Sequence, residues 1–425
     1  MKLKISTYLM LLLVVIAGLQ SCEKDDIEPG TIATEDSIYF FINGLMEYWY
    51  LWNDSLPEVE YLSYDDPQAL IDDLKIDMDK WSFVDKTVTV SSRFKEGEEY
   101  GFGFYLGWDN LLNLRVLFAY ENTSAFDAGI RRGCIIKKID GVDVKKIESF
   151  DYFFSETPGS KSFEFVDNSG TTHTKTLSKE TYFMNAVLYS NTYNVSNKTV
   201  GYIVLQSFLG YAKDEIQEAF SFFSATGIDE LVVDLRYNGG GYINLAEGLA
   251  ERICPSSAIG KINYTMQHNK ERRREYDTIV YFKEHEQNQD LERVFFLTNE
   301  YSASASELVI NGLEPHMDVE IVGDITYGKP VAMYGFEFQD WTIYPVTAKS
   351  INANGYGEYF DGLAPDNYVS DQSQYDWGDE NEPLLSSVFN YISTGSFGQT
   401  ASQLKSASSV NVIQGGQLGR NLLLY

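Results

Sequence analysis

The chain is short of several things, and each shortage closes a route. It has four histidines, His173, His268, His285 and His316, scattered along its length. None forms an H-E-x-x-H zinc pair. Three cysteines, Cys22, Cys134 and Cys254, cannot build a disulfide framework. Nor do they cluster as metal ligands. No G-x-S-x-G elbow is present, and the Gly101–Gly107 stretch lacks the G-x-G-x-x-G dinucleotide spacing. Positive charge is scarce: 33 Lys and Arg face 62 Asp and Glu, a net charge of −29. That balance argues against nucleic acid as a partner, because phosphate contacts need clustered cations. Past the first residues, no run is long and apolar enough to span a membrane. No cofactor or metal is implied.

What is present is enough apolar residue for real cores, 44% of 425 residues. At roughly 150 residues per domain, two to four domains are expected. Lys2 and Lys4 precede an apolar run from Tyr8 to Gly18, then Leu19-Gln20-Ser21-Cys22. This reads as an export signal over residues 1–21. Leu19 three before Cys22 resembles the bacterial lipobox. That resemblance implies cleavage before Cys22 and its lipidation, which anchors the chain without spanning. The implied location is the cell envelope, on the outer membrane, with either face open.

Residues 22–35 read as a polar tether. Over 36–95, Tyr39, Phe40, Ile42, Leu45, Met46, Tyr48 and Trp49 fit a buried helical stripe. Asp65-Asp66-Pro67 opens a second helix, so a small N-terminal helical domain is expected. Over 96–180, short apolar runs alternate with turns: Phe102–Leu106, Leu114–Phe118, Cys134–Ile139 and Ser162–Val166. A β-rich domain is expected there. From about 199 the rhythm becomes strand, helix, strand, helix, which argues an α/β core over 181–393. Residues 394–425, rich in Ser, Gly and Gln, read as a loose end or an edge segment.

In the middle segment, Gly101-Phe102-Gly103-Phe104 opens a strand. Ala128-Gly129-Ile130, Arg132-Gly133-Cys134-Ile135-Ile136 and Ile139-Asp140-Gly141 follow. Together these resemble a PDZ domain of the bacterial protease type. The resemblance implies that Gly101, Phe102, Gly103 and Phe104 form the carboxylate-binding loop, where successive N–H groups make an anion nest. The strand after it then accepts a peptide by strand addition.

Chemistry concentrates in three later segments. Ser302-Ala303-Ser304-Ala305-Ser306-Glu307 follows a buried strand and opens a helix. Free N–H groups at a helix start favour developing negative charge, which suits a nucleophile beside an oxyanion site. Thr326-Tyr327-Gly328-Lys329 places a lysine 25 residues after Ser304. Burial lowers a lysine's pKa and makes it a usable base. Asp234-Leu235-Arg236-Tyr237-Asn238-Gly239-Gly240-Gly241 ends a third strand, and its glycines let backbone N–H groups face a carbonyl.

The three segments resemble the carboxy-terminal processing peptidases, the S41 serine peptidases. That resemblance implies an α/β multidomain chain. Its core is crotonase-like, with an inserted or preceding PDZ-like domain and a small N-terminal helical domain. It implies Ser304 as nucleophile, Lys329 as general base, and Gly240 with Ala305 as oxyanion donors. Gly241, Glu307 and Thr326 match supporting positions, and Gly362-Leu363-Ala364-Pro365-Asp366 matches a late segment. The sequence departs from the pattern in three places. Pro330 follows the lysine, Met333 stands where Gln is usual, and Glu314-Pro315 stands where Gln-Asp is usual. The implied partners are protein or peptide substrates. Two other readings stay open: a peptide-binding surface lipoprotein with weak or no catalysis, and a glycan binder built on the 30 tyrosines and 6 tryptophans.

Overall fold

The computed structural model describes residues 37–397 and 411–413. The signal, Cys22 and the tether lie outside the described residues, as does most of 394–425.

The N-terminal segment folds as its apolar spacing requires. Helix Ser37–Trp49 buries Ile38, Tyr39, Ile42, Leu45 and Met46 on one face. Helix Pro67–Leu74 starts where Asp66 accepts from the Gln68 N–H, with Pro67 at the first helical position. The segment does not stand alone, however. Its strand Phe83–Lys86 pairs antiparallel with Trp341–Tyr344, which pairs in turn with Phe336–Phe338. Its helices share a buried cluster with Val331, Ile343 and Val346. Two short helices cannot bury an apolar stripe by themselves, so a distant hairpin covers it. Aromatics make the seam: Phe41 stacks on Phe338 at 4.4 Å and Phe83 on Tyr344 at 4.8 Å.

The middle segment is a closed excursion. Its entry strand Glu98–Gly101 pairs antiparallel with its exit strand Glu180–Phe183. Between them, Phe104–Trp108, Leu114–Ala119, Ile135–Ile139, Ser160–Val166 and Thr172–Ser178 form one antiparallel sheet. Phe102, Phe104, Leu106, Ile136, Phe163 and Phe165 fill its interior. The outer edge of Phe104–Trp108 is taken by Asn411–Val412 from the chain's far end.

The core is a six-stranded sheet in the order Val187–Val195, Lys198–Leu205, Glu230–Asp234, Arg293–Thr298, Asp318–Gly323, Asn367–Tyr368. The first pair is antiparallel and the rest parallel. Every residue of Glu230–Asp234 is buried, as helices on both faces demand. Ala212–Thr226, Ile243–Ile253 and Ala305–Leu313 cover one face; Pro383–Thr394 covers the other. A second sheet, Thr278–Tyr281, Ile262–His268, Val346–Asn352 and Val331–Met333, was not foreseen. Its strands bury polar residues such as Asn263, His268 and Thr347, which hides the apolar alternation. The carboxyl ends of the parallel strands Glu230–Asp234 and Arg293–Thr298 open into the glycine and serine loops. That end of an open α/β sheet is where ligands bind.

Ile343 is fully buried at the seam between the N-terminal helices and the core. Ile343→Ala is expected to cost about 2–5 kcal/mol. A lowered denaturant midpoint with the same chain length and expression checks it.

Candidate active site

The three serines of the serine loop separate by their contacts. Ser302 Oγ donates to Leu235 O at 2.8 Å, and Ser306 Oγ donates to Asn238 O at 3.1 Å. Both are fully buried and stitch the serine loop to the glycine loop. Ser304 is half-buried and lines an open cleft. Its backbone has φ 58° and ψ −111°, left-handed and strained for a residue with a Cβ. A serine on such a turn between strand and helix is held out where a substrate reaches it.

Glu307 explains how that turn is held. It is fully buried on the first turn of helix Ala305–Leu313. Its Oε2 accepts the Ser304 N–H at 2.8 Å and the Lys329 N–H at 2.8 Å. Its Oε1 accepts Thr326 Oγ1 at 2.6 Å and the Gly328 N–H at 2.7 Å. One carboxylate therefore fixes both loops. Burial raises its affinity for a proton, and the four donors oppose that.

Lys329 is 1% exposed. Burial pushes its ammonium down to about 7, against the opposing charges of Asp79 and Glu307. Asp79 is itself buried and accepts the Trp81 N–H at 2.8 Å and the Ser82 N–H at 2.9 Å. Sequence reasoning missed Asp79, since nothing separates it from the chain's other acids before folding. Thr326 is tied to the late segment, whose Leu363 N–H donates to Thr326 Oγ1 at 2.7 Å. Gly328 has φ 88°, and a Cβ there would meet Phe360 O at 2.4 Å. Only glycine fits that approach.

The glycine loop lies against the serine. A Cβ on Gly240 would stand 2.8 Å from Ser304 Cβ, and one on Gly241 2.2 Å from Phe208 O. One member of the expected oxyanion pair is engaged within its own loop. The Gly240 N–H already donates to Asn238 Oδ1 at 2.9 Å. Asn238, which sequence reasoning passed over, also donates from Nδ2 to Leu205 O at 2.8 Å. Its carbonyl accepts the Ala303 N–H at 3.0 Å. Gly241 and Ala305 line the cleft that contains Ser304 and Lys329. The cleft holds about 130 Å³ of water-accessible space, walled by Ile243, Met266, Leu308, Val331 and Met333. Met333, at the position of the usual glutamine, is thus an apolar wall.

The middle-segment residues lie elsewhere. Phe102 and Phe104 are buried in their own core, and Gly101 and Gly103 are buried beside them. Gly103 has φ 80° and packs on Thr123. A buried ionic cluster joins this segment to the glycine loop. Arg132 Nη2 lies 2.6 Å from Asp371 Oδ1, and Arg236 Nη1 lies 2.8 Å from the same oxygen. Arg236 also pairs with Asp234 at 2.6 Å and Glu382 at 3.0 Å. Burial works to raise Asp371, but Arg132 and Arg236 hold its carboxyl below the usual range.

Comparison with known proteins places this geometry. The model of peptidase family S41 matches residues 199–369, and that of the peptidase S41 N-terminal domain matches 37–83. The chain belongs to the S41 peptidase family. Ser304, Lys329, Glu307, Thr326 and both loop glycines fall inside the larger match. The chain is 26% identical over 280 residues to a carboxyl-terminal-processing protease of Synechocystis sp., covering 64% of this chain and 63% of that one. It is 25% identical over 250 residues to a Staphylococcus aureus protein named for its likeness to the CtpA serine protease, covering 58% and 48%. The chain spans about half to two-thirds of the length of these curated relatives. Among solved structures, an S41 protein of Bacteroides fragilis NCTC 9343 superposes with a TM-score of 0.70 at 23% identity. That match covers 83% of this chain and 96% of the other, and it establishes a shared S41 fold.

Glu307→Gln puts an NH2 donor against N–H groups that need an acceptor. The expected loss is about 3 kcal/mol. A lower thermal midpoint than that of the surface variant Glu358→Gln checks it.

Proposed function

We propose that the chain is a serine endopeptidase in which Ser304 is the nucleophile and Lys329 the general base. The observation that carries this reading is one fully buried carboxylate, Glu307, holding a strained, accessible serine and a buried lysine around a single cleft. Neutral Lys329 takes the Ser304 proton as Oγ attacks the peptide carbonyl. The oxyanion rests on the N–H groups of Gly241 and Ala305, with Gly240 keeping the loop against the serine. Lys329 returns the proton to the leaving amine. Water, deprotonated by Lys329, then hydrolyses the acyl-enzyme. The apolar wall of Met266, Leu308, Val331 and Met333 suits an apolar side chain beside the scissile bond. The serine-protease names of the relatives support the same class.

The proposal includes the middle unit as a PDZ-like module that captures an extended peptide, on a crotonase-like core. Anchoring through a lipidated Cys22 in the cell envelope is the proposed placement, and it rests on residues 1–22 alone. One observation favours a second reading, a peptide-binding protein with weak catalysis. Met333 offers no polar contact of the kind a glutamine gives a lysine.

Cleavage of an unfolded, fluorescently labelled protein separates them. Ser304→Ala and Lys329→Ala are each expected to lower kcat/KM by roughly 10³-fold or more. Cleavage equal to wild type in both variants contradicts the endopeptidase. The pH profile supplies a second check. Below about 7, Lys329 holds its proton and cannot act as base. Activity is therefore expected to rise with pH through about 7 and level above it.

A further inference from the structure

The outer edge of Phe104–Trp108 is where strand addition would place a captured peptide, because the other edge is already paired with Leu114–Ala119. That outer edge is filled by the chain itself. Asn411 pairs with Trp108 and Val412 with Gly107, antiparallel. The Ile413 N–H donates to Leu106 O at 2.9 Å.

The filling is by side chain as well as backbone. Successive residues of a strand face opposite sides. Val412, 9% exposed, enters the cluster that contains Tyr105, Phe118 and Tyr120. Tyr237 and Tyr301, from the glycine and serine loops, belong to the same cluster. Ile413 is half-buried against the other cluster, built on Phe102, Phe104 and Leu106. Two adjacent β-branched residues therefore seal both sides of the edge. The segment runs from Trp108 towards Phe104, the direction that leads to the Gly101–Phe104 loop.

We infer that residues 411–413 act as a built-in occupant of the peptide-accepting edge, which an extended peptide carrying a Val-Ile-like pair must displace. This rests on the reading of the middle unit as a peptide-capturing module. Covalent attachment gives the occupant an effective concentration of order mM, so a free peptide of equal affinity competes poorly. A bound peptide needs no free carboxylate at this edge, since Ile413 is followed by further residues and still pairs. Displacement also withdraws Val412 from the cluster shared with Tyr237 and Tyr301, so occupancy of the edge is felt at both loops of the cleft.

The test uses a fluorescein-labelled peptide of residues 409–415, Ser-Val-Asn-Val-Ile-Gln-Gly, followed by anisotropy. All proteins carry Ser304→Ala, so cleavage does not confuse binding. Three are compared: the full chain, the full chain with Val412→Asp and Ile413→Asp, and a chain ending at Phe397. At least tenfold tighter peptide binding by both altered proteins is expected. Equal binding by all three, or none by any, overturns the inference. With Ser304 restored, the doubly substituted chain is expected to cleave an unfolded protein several-fold faster than wild type. Tighter binding with no cleavage by either leaves the occupant in place and removes the endopeptidase instead.

Discussion

A single buried carboxylate, Glu307, is the constraint on which the site depends. Its four donors come from two loops: the Ser304 N–H of the serine turn, and the Thr326 hydroxyl with the Gly328 and Lys329 N–H groups of the lysine loop. A carboxylate in the interior is costly unless its oxygens are satisfied, so these segments are bound to it as firmly as it is to them. The strained conformation of Ser304 persists because this arrangement over-determines it. The same packing takes Lys329 out of water and lowers its pKa, which turns an ordinary cation into a base usable near neutrality.

Around this centre the chain uses polar seams to hold separate units in register. The glycine loop is laced to the serine loop through Ser302, Ser306 and Asn238. It is joined to the middle β unit through Arg132, Asp371 and Arg236. The N-terminal segment contributes Asp79 beside the lysine and an aromatic seam along the second sheet. Burial, hydrogen bonding and charge thus tie every unit of the fold to the loops around one cleft.

Much of this could be read before folding, and the exceptions have causes. Helix Ile243–Ile253 and strand Arg293–Thr298 fall within the strand–helix alternation expected from about residue 199, because buried apolar runs with clear boundaries show in the sequence. Ser304 and Lys329 stood out by motif and spacing. The second sheet did not, because buried polar residues break its alternation. Asp79 and Asn238 did not, because their roles arise only from where the fold brings them. That the Gly240 N–H has a partner could not be read for the same reason: an asparagine two residues earlier turns back to accept it. Nor could any local pattern show that a two-residue strand near the C-terminal end would pair with Phe104–Trp108, some 300 residues away.

The central claim is that Glu307 presents Ser304 to a base, Lys329, in one cleft. Covalent labelling with a fluorophosphonate probe, mapped by mass spectrometry, tests it most directly. The account predicts modification at Ser304 in the wild-type chain and its near-complete loss in Lys329→Met at the same pH. Labelling of a different serine, or equal labelling of Ser304 with and without the lysine, would contradict it.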